Sequence, residues 1–171
     1  MSVTESTELT ELYLIRHGIA AERGTYQEDG DRPLTEVGQH KTTKVAERLY
    51  ELGVRFDLIL TSPLVRAKQT AEILQSVGLS DRLEKSDDLA PEGDFDHWLT
   101  WLNQWQAGGT QLALVGHQPD LGDWAETLIW GESKQQIVLK KAGVIGLLLP
   151  QAKPPVGQSQ LFWLTPPKFL L

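Results

Sequence analysis

The 171-residue chain has no cysteine and a single methionine. Without thiols it can form no disulfide, no thiolate metal site and no cysteine nucleophile. This fits a reducing cytosol, so a cytoplasmic location is expected. Basic residues are also outnumbered. Sixteen Lys and Arg stand against 23 Asp and Glu, a formal net charge of -7. Such a chain offers no basic face to nucleic acid, and any anion it binds must meet a local cluster of positive groups. No apolar run reaches the length of a membrane span, and the polar, acidic N-terminus has neither the basic nor the apolar region of a signal peptide. Nucleic-acid and membrane partners are therefore not expected, and residues 1–9 read as a flexible leader. His17 and His117 have no partner histidine at H-x-H or H-x-x-x-H spacing, so neither a metal nor a cofactor is predicted. Walker A and G-x-G-x-x-G patterns are missing, and no G-x-S-x-G elbow surrounds Ser62.

What the chain does contain is ordinary globular composition, 40% hydrophobic and 23% charged, in a length that suits one domain over 1–171. Leu12-Tyr13-Leu14-Ile15 is a continuous apolar run, the pattern of a strand buried on both faces. A helix follows from a Thr35 cap to about residue 52, with Val37, Val45, Leu49 and Leu52 as its apolar face. Residues 57–60 form a second strand and 64–77 a second helix closed by Gly78. Residues 82–89 read as a third strand. Phe95, Trp98, Leu99, Leu102 and Trp105 then make the stripe of a third helix, with Trp101 at its rim and His97 off it. Residues 111–115 are a fourth strand, and Pro119-Asp120 opens a fourth helix. Residues 137–139 and 144–149 read as a hairpin, 160–164 as a last strand, and the tail packs against the body. Alternating strands and helices predict an α/β three-layer sandwich, with a mostly parallel central sheet and antiparallel strands toward the C-terminus.

In a parallel sheet, three strand ends open on one edge. They carry Arg16-His17-Gly18, Ser62-Pro63-Leu64-Val65-Arg66 and Gly116-His117. Two arginines and two histidines would share a crevice and repel one another without an anion. A tetrahedral phosphoryl group suits them, because guanidinium forks and helix N-termini match its oxygens. Arg66 and Lys68 stand in the first turn of the second helix, the end that a dipole makes unfavourable for cations, which also points to an anion nearby. A histidine held among cations stays neutral and nucleophilic near pH 7. His40 reads as a surface residue.

These motifs resemble the histidine phosphatase superfamily, the phosphoglycerate-mutase-like enzymes. Arg16-His17-Gly18 resembles its first block, Arg32-Pro33-Leu34-Thr35 with Gly38 its second, the segment from Ser62 to Thr70 its third, and Gly116-His117 its fourth. The length and ending resemble the SixA type, the phosphohistidine phosphatases. The resemblance implies that His17 takes up the phosphoryl group, that Arg16, Arg66 and His117 bind its oxygens, and that water releases it without a metal. Many relatives carry an acidic residue where this chain has Ile19. Larger relatives use a carboxyl after the third strand as proton donor, and Glu92 is the candidate here, with Asp88 and Asp94 as rivals.

The short stretch before the third helix leaves little chain for a lid, which suits a phosphorylated protein surface better than an enclosed metabolite. The expected substrate is a phosphohistidine-bearing signalling or phosphocarrier protein, with free phosphate as product. The alternatives are a phosphomonoesterase acting on small phosphorylated metabolites and a non-catalytic phospho-binding module.

Overall fold

A computed structural model of the protein describes residues 8–171. Its backbone is one six-stranded sheet: β1 (Leu9–Arg16), β2 (Leu58–Thr61), β3 (Leu83–Lys85), β4 (Gln111–Gly116), β5 (Val144–Pro150) and β6 (Gln160–Thr165). The spatial order is β3-β2-β4-β1-β5-β6. β1, β2, β3 and β4 run parallel, while β5 lies antiparallel to β1, and β6 to β5. This is the α/β sandwich read from the sequence.

The apolar runs are continuous because both sheet faces are covered. Leu12 and Leu14 of β1, Leu58 and Leu60 of β2, and Leu112 and Leu114 of β4 face one core. Helices α3 (Phe95–Trp105) and α4 (Asp120–Trp130) close that core with Trp98, Leu102, Trp124 and Leu128. The alternate residues, Tyr13, Ile15, Ile59, Ala113 and Val115, face a second core under α1 (Glu36–Glu51) and α2 (Val65–Val77).

Local chemistry sets the helix ends. Thr35 Oγ1 accepts from the Gly38 N–H at 2.9 Å, capping α1. Gly78 closes α2 at φ 107°, a left-handed conformation open to glycine. Asp94 caps α3 by accepting from the His97 N–H.

Several expectations need correction. Residues 1–7 of the expected leader lie outside the described residues, but Leu9 already belongs to β1 and pairs with Pro150. The buried stripe of α1 is Gly38, Thr42, Val45, Ala46 and Leu49, whereas Val37 and Leu52 are each 58% exposed. Val37 lies off the phase of that stripe, and Leu52 keeps the phase but is the C-cap, one residue past the helix end. β3 is three residues long rather than 82–89, and Asp87–Leu89 is a 3₁₀ turn. It is an edge strand with charged residues and little apolar surface to hold it longer. Residues 137–139 form no strand, so β5 makes its hairpin with β6. Ile137 and Leu139 are nonetheless buried, their side chains anchoring a loop against the α3–α4 core. No described helix is long and apolar enough to cross a membrane.

Candidate active site

The parallel strands deliver their C-terminal ends to one edge, as expected. Arg16 ends β1 and His17 follows it, while Gly116 ends β4 and leads into His117. Ser62 follows β2, and Arg66 lies in the first turn of α2. A cavity of about 620 Å³ is lined by Arg16, His17, Arg66 and His117 together. Its rim includes Glu22, Arg23, Pro91, Glu92, Pro119 and Lys141, all exposed.

His17 is buried, and its Nδ1 stands 2.7 Å from the Gly18 carbonyl oxygen. A carbonyl only accepts, so Nδ1 carries the proton of the neutral ring. That leaves the Nε2 lone pair free of protein partners in a residue that lines the cavity. The His17 pKa is lowered to about 3, first by burial and then by His117, Arg66 and Arg16, against the raising effect of the Gly18 bond. The neighbouring cations expected to keep the ring neutral do contribute, but burial is the larger cause. Gly18 is packed closely against α1. A Cβ there would collide with Thr42 Oγ1 on α1, and its N–H donates to Thr70 Oγ1 at 3.0 Å.

His117 is lowered to about 4, foremost by burial and then by Arg66 and Arg16. Its Nε2 lies 2.7 Å from Ser62 Oγ. The Leu64 N–H donates to that oxygen at 3.2 Å, and among the described residues the one acceptor bonded to the Ser62 hydroxyl is Nε2, an arrangement that places the ring proton on Nδ1. Ser62 therefore orients a histidine.

The arginines are fixed from behind. Arg16 Nη1 donates to the Leu139 carbonyl at 3.0 Å. Arg66 donates through Nη1 to the Asp29 carbonyl at 3.1 Å and through Nη2 to the Asp29 carboxylate at 3.2 Å. Arg32 Nε donates to the other Asp29 oxygen at 2.8 Å. The Asp29 carboxyl is held below its usual range, first by Arg32. Arg16 Nε, Arg66 Nε and His117 Nδ1 are buried with no partner. Two guanidinium groups and two imidazoles on one cavity, with three of their nitrogens left unpaired by the fold, suit an acceptor-rich anion.

The other sequence candidates separate clearly. Glu92 lies at the rim, at φ 63°, and its N–H donates to Asp120 Oδ2 at 2.8 Å. Asp88 is bound to exposed His97 at 2.7 Å and Asp94 is spent on the α3 cap. Lys68 pairs with Glu72 on the surface of α2, so Arg66 alone of those two cations reaches the cavity. His40 is exposed. Ile19 uses its carbonyl to accept from the Thr35 N–H at 2.9 Å. Sequence reasoning missed Asp29, Arg32 and Asp120 as cavity residues. Arg32 stands in a recognised block that assigns it no role, and Asp120 reads only as a helix-opening acid. Asp29 gives no signal. Burial raises the pKa of Asp120, the largest effect on it.

The chain matches the profile of the histidine phosphatase superfamily (branch 1) over residues 12–141. It belongs to that superfamily. An uncharacterized protein of Picosynechococcus sp. is 51% identical over 163 residues, covering 94% of this chain and 99% of its own length. The mitochondrial serine/threonine-protein phosphatase PGAM5 of Xenopus tropicalis is 32% identical over 116 residues, covering 62% of this chain. This chain spans only 40% of that relative's length. Among solved structures, a protein histidine phosphatase SixA complexed with tungstate superposes with a TM-score of 0.83 at 25% identity, over 95% of this chain and all of that one. A phosphoglycerate mutase from Bacillus anthracis shares the fold at a TM-score of 0.69 and 16% identity, each chain covered to 96%. As a member of this superfamily the protein is a phosphatase, a hydrolase of phosphoryl groups.

Proposed function

We propose that the protein removes phosphoryl groups from phosphohistidine in a signalling or phosphocarrier protein of the cytoplasm, through a phosphohistidine intermediate on His17 and without a metal. One observation carries this reading. The Nδ1–H of His17 is tied to the Gly18 carbonyl, and the free Nε2 belongs to a cavity whose arginines keep unmet donors.

In the first step Nε2 attacks phosphorus, a new N–P bond forms, and the N–P bond to the substrate imidazole breaks. Arg16, Arg66 and the Nδ1–H of His117 hold the three equatorial oxygens as charge redistributes. The departing imidazole takes a proton from solvent or from a rim carboxyl. Water then attacks phospho-His17, releasing phosphate and restoring the Nε2 lone pair. An imidazole leaves more readily than an alkoxide, so the first step depends little on a general acid.

The exposed rim and the short connection over residues 86–94 suit a substrate presented on a protein surface. The SixA likeness, in a structure holding an oxyanion of phosphate-like shape, supports the same reading.

Asp120 favours a second reading, hydrolysis of small phosphomonoesters. A carboxyl with a raised pKa beside Glu92 is suited to protonate an alkoxide. The deciding experiment compares a phosphohistidine protein with sugar phosphates as substrates of the wild type, Glu92→Gln and Asp120→Asn. The first reading predicts a higher kcat/KM on phosphohistidine, changed less than about tenfold by either variant. Preference for sugar phosphates, with loss of about 10²-fold or more in either variant, supports the second.

A further inference from the structure

Beside the catalytic cavity, and sharing Arg16 and Lys141 with it, lies a second pocket of about 520 Å³. Ile19, Ala142, Pro166 and Pro167 give it an apolar floor. Lys41 from α1, Lys140 and Lys141 from the loop before β5, and Lys168 from the C-terminal turn stand around it. All four lysines are exposed, and no aspartate or glutamate lines the pocket.

The charge is out of character for the molecule. Acidic residues exceed basic ones by 23 to 16, yet four lysines and an arginine converge here from separate segments of the chain. Among the described residues none of the four lysines forms an ion pair. No ion pair relieves their mutual repulsion. Burial and the neighbouring Arg16, Arg32 and Arg23 together lower the Lys141 pKa. An occupant that relieved these groups would carry negative charge along its edge and apolar groups against the floor.

We propose that this pocket docks an acidic, partly apolar peptide segment next to the phosphohistidine of the substrate protein. The proposal rests on the protein-phosphohistidine reading above. Continuity with the catalytic cavity places the docked segment and the phosphoryl group on one path, with Arg16 and Lys141 at the junction. Elsewhere this negatively charged protein repels an acidic partner, so the lysine cluster also orients the encounter. The pocket is concave and joined to the reaction site, which favours a substrate segment over a lipid surface.

The test uses two phosphohistidine peptides of equal length, one with glutamates and a leucine beside the phosphohistidine, the other with glutamine for each glutamate. Phosphoramidate is the small control substrate. For the wild type the acidic peptide should show a KM lower by roughly tenfold, the scale of a few exposed charge pairs, and the gap should shrink with salt. The triple variant K41E/K140E/K168E should lose that preference and keep wild-type turnover of phosphoramidate. The single variant Lys41→Gln should give a partial loss, which ties the preference to the pocket and not to the protein's net charge. Equal KM values in the wild type, or a preference that survives in the triple variant, overturn the proposal. So does loss of binding to phosphatidylserine vesicles in the triple variant with peptide preference intact, which assigns the cluster to a lipid surface. If neither peptide is hydrolysed while sugar phosphates are, the substrate reading itself falls and takes this docking role with it.

Discussion

His17 owes its reactivity to two arrangements that act on different atoms of one ring. The Gly18 carbonyl fixes the proton on Nδ1, and burial keeps the ring uncharged. Both are visible to nitrogen NMR. Long-range ¹H–¹⁵N spectra should show His17 as the neutral Nδ1–H tautomer from pH 8 down to about pH 5, well below the ordinary histidine midpoint near 6.5. Titration of His17 near 6.5, or an Nε2–H tautomer, contradicts this account of the nucleophile. At this scale the sequence is informative where a side chain sits at a fixed offset from a buried strand. Arg16, His17 and His117 follow apolar runs directly, and Arg66 follows one by a single helical entry. Asp29 and Arg32 are harder to place, because the loop carrying them has no hydrophobic period and takes its path from contacts with α2 and Ala21.

The elements behind the site matter as much as its residues. Glu126 on α4 is 1% exposed and accepts from the N–H groups of Lys134 and Gln136. It thereby tethers the loop whose Leu139 carbonyl holds Arg16 and whose Ala142 N–H bonds the Arg16 and His17 carbonyls. Glu126→Ala should destabilise the fold by about 1–3 kcal/mol in urea unfolding, through two donors left unmet. It should also lower kcat/KM, because Arg16 loses its backing. A variant of unchanged stability and kinetics rules out the tether. This loop is where the expected hairpin failed. Its apolar residues mark burial correctly, but alternation over three residues cannot distinguish a strand from an extended loop whose backbone bonds elsewhere. The third strand is shorter than expected for a related reason: an edge position, set by the whole sheet, decides how far a weakly apolar strand pairs.

For the molecule as a whole, two buried neutral histidines link folding to pH. The folded pKa values near 3 and 4 lie below the unfolded value of 6.5. At pH 7 and above both states are uncharged at these sites. As pH falls below 6.5 the unfolded chain binds protons that the folded chain excludes, so stability declines. The slope approaches about 1.4 kcal/mol per pH unit for each histidine, about 2.8 for both, down to about pH 4. Urea midpoints should fall accordingly between pH 6.5 and 4, and a His17→Gln/His117→Gln double variant should fall less steeply over that window. Equal slopes would mean that the histidines are not held neutral by the fold. The architecture is legible because β1, β2 and β4 are buried on both faces and read as unbroken apolar runs. The second pocket is not, since its lysines come from segments far apart in the chain.

The central claim is that His17 carries the phosphoryl group between substrate and water. The protein should be mixed with a ³²P-labelled phosphohistidine protein, quenched in alkali within milliseconds and digested, and the labelled peptide mapped. The label should lie on the peptide containing His17, stable to alkali and lost in acid, and His17→Ala should retain about 10⁻³ or less of wild-type turnover. Label on another residue, or His17→Ala hydrolysing substrate at the wild-type rate, contradicts the account.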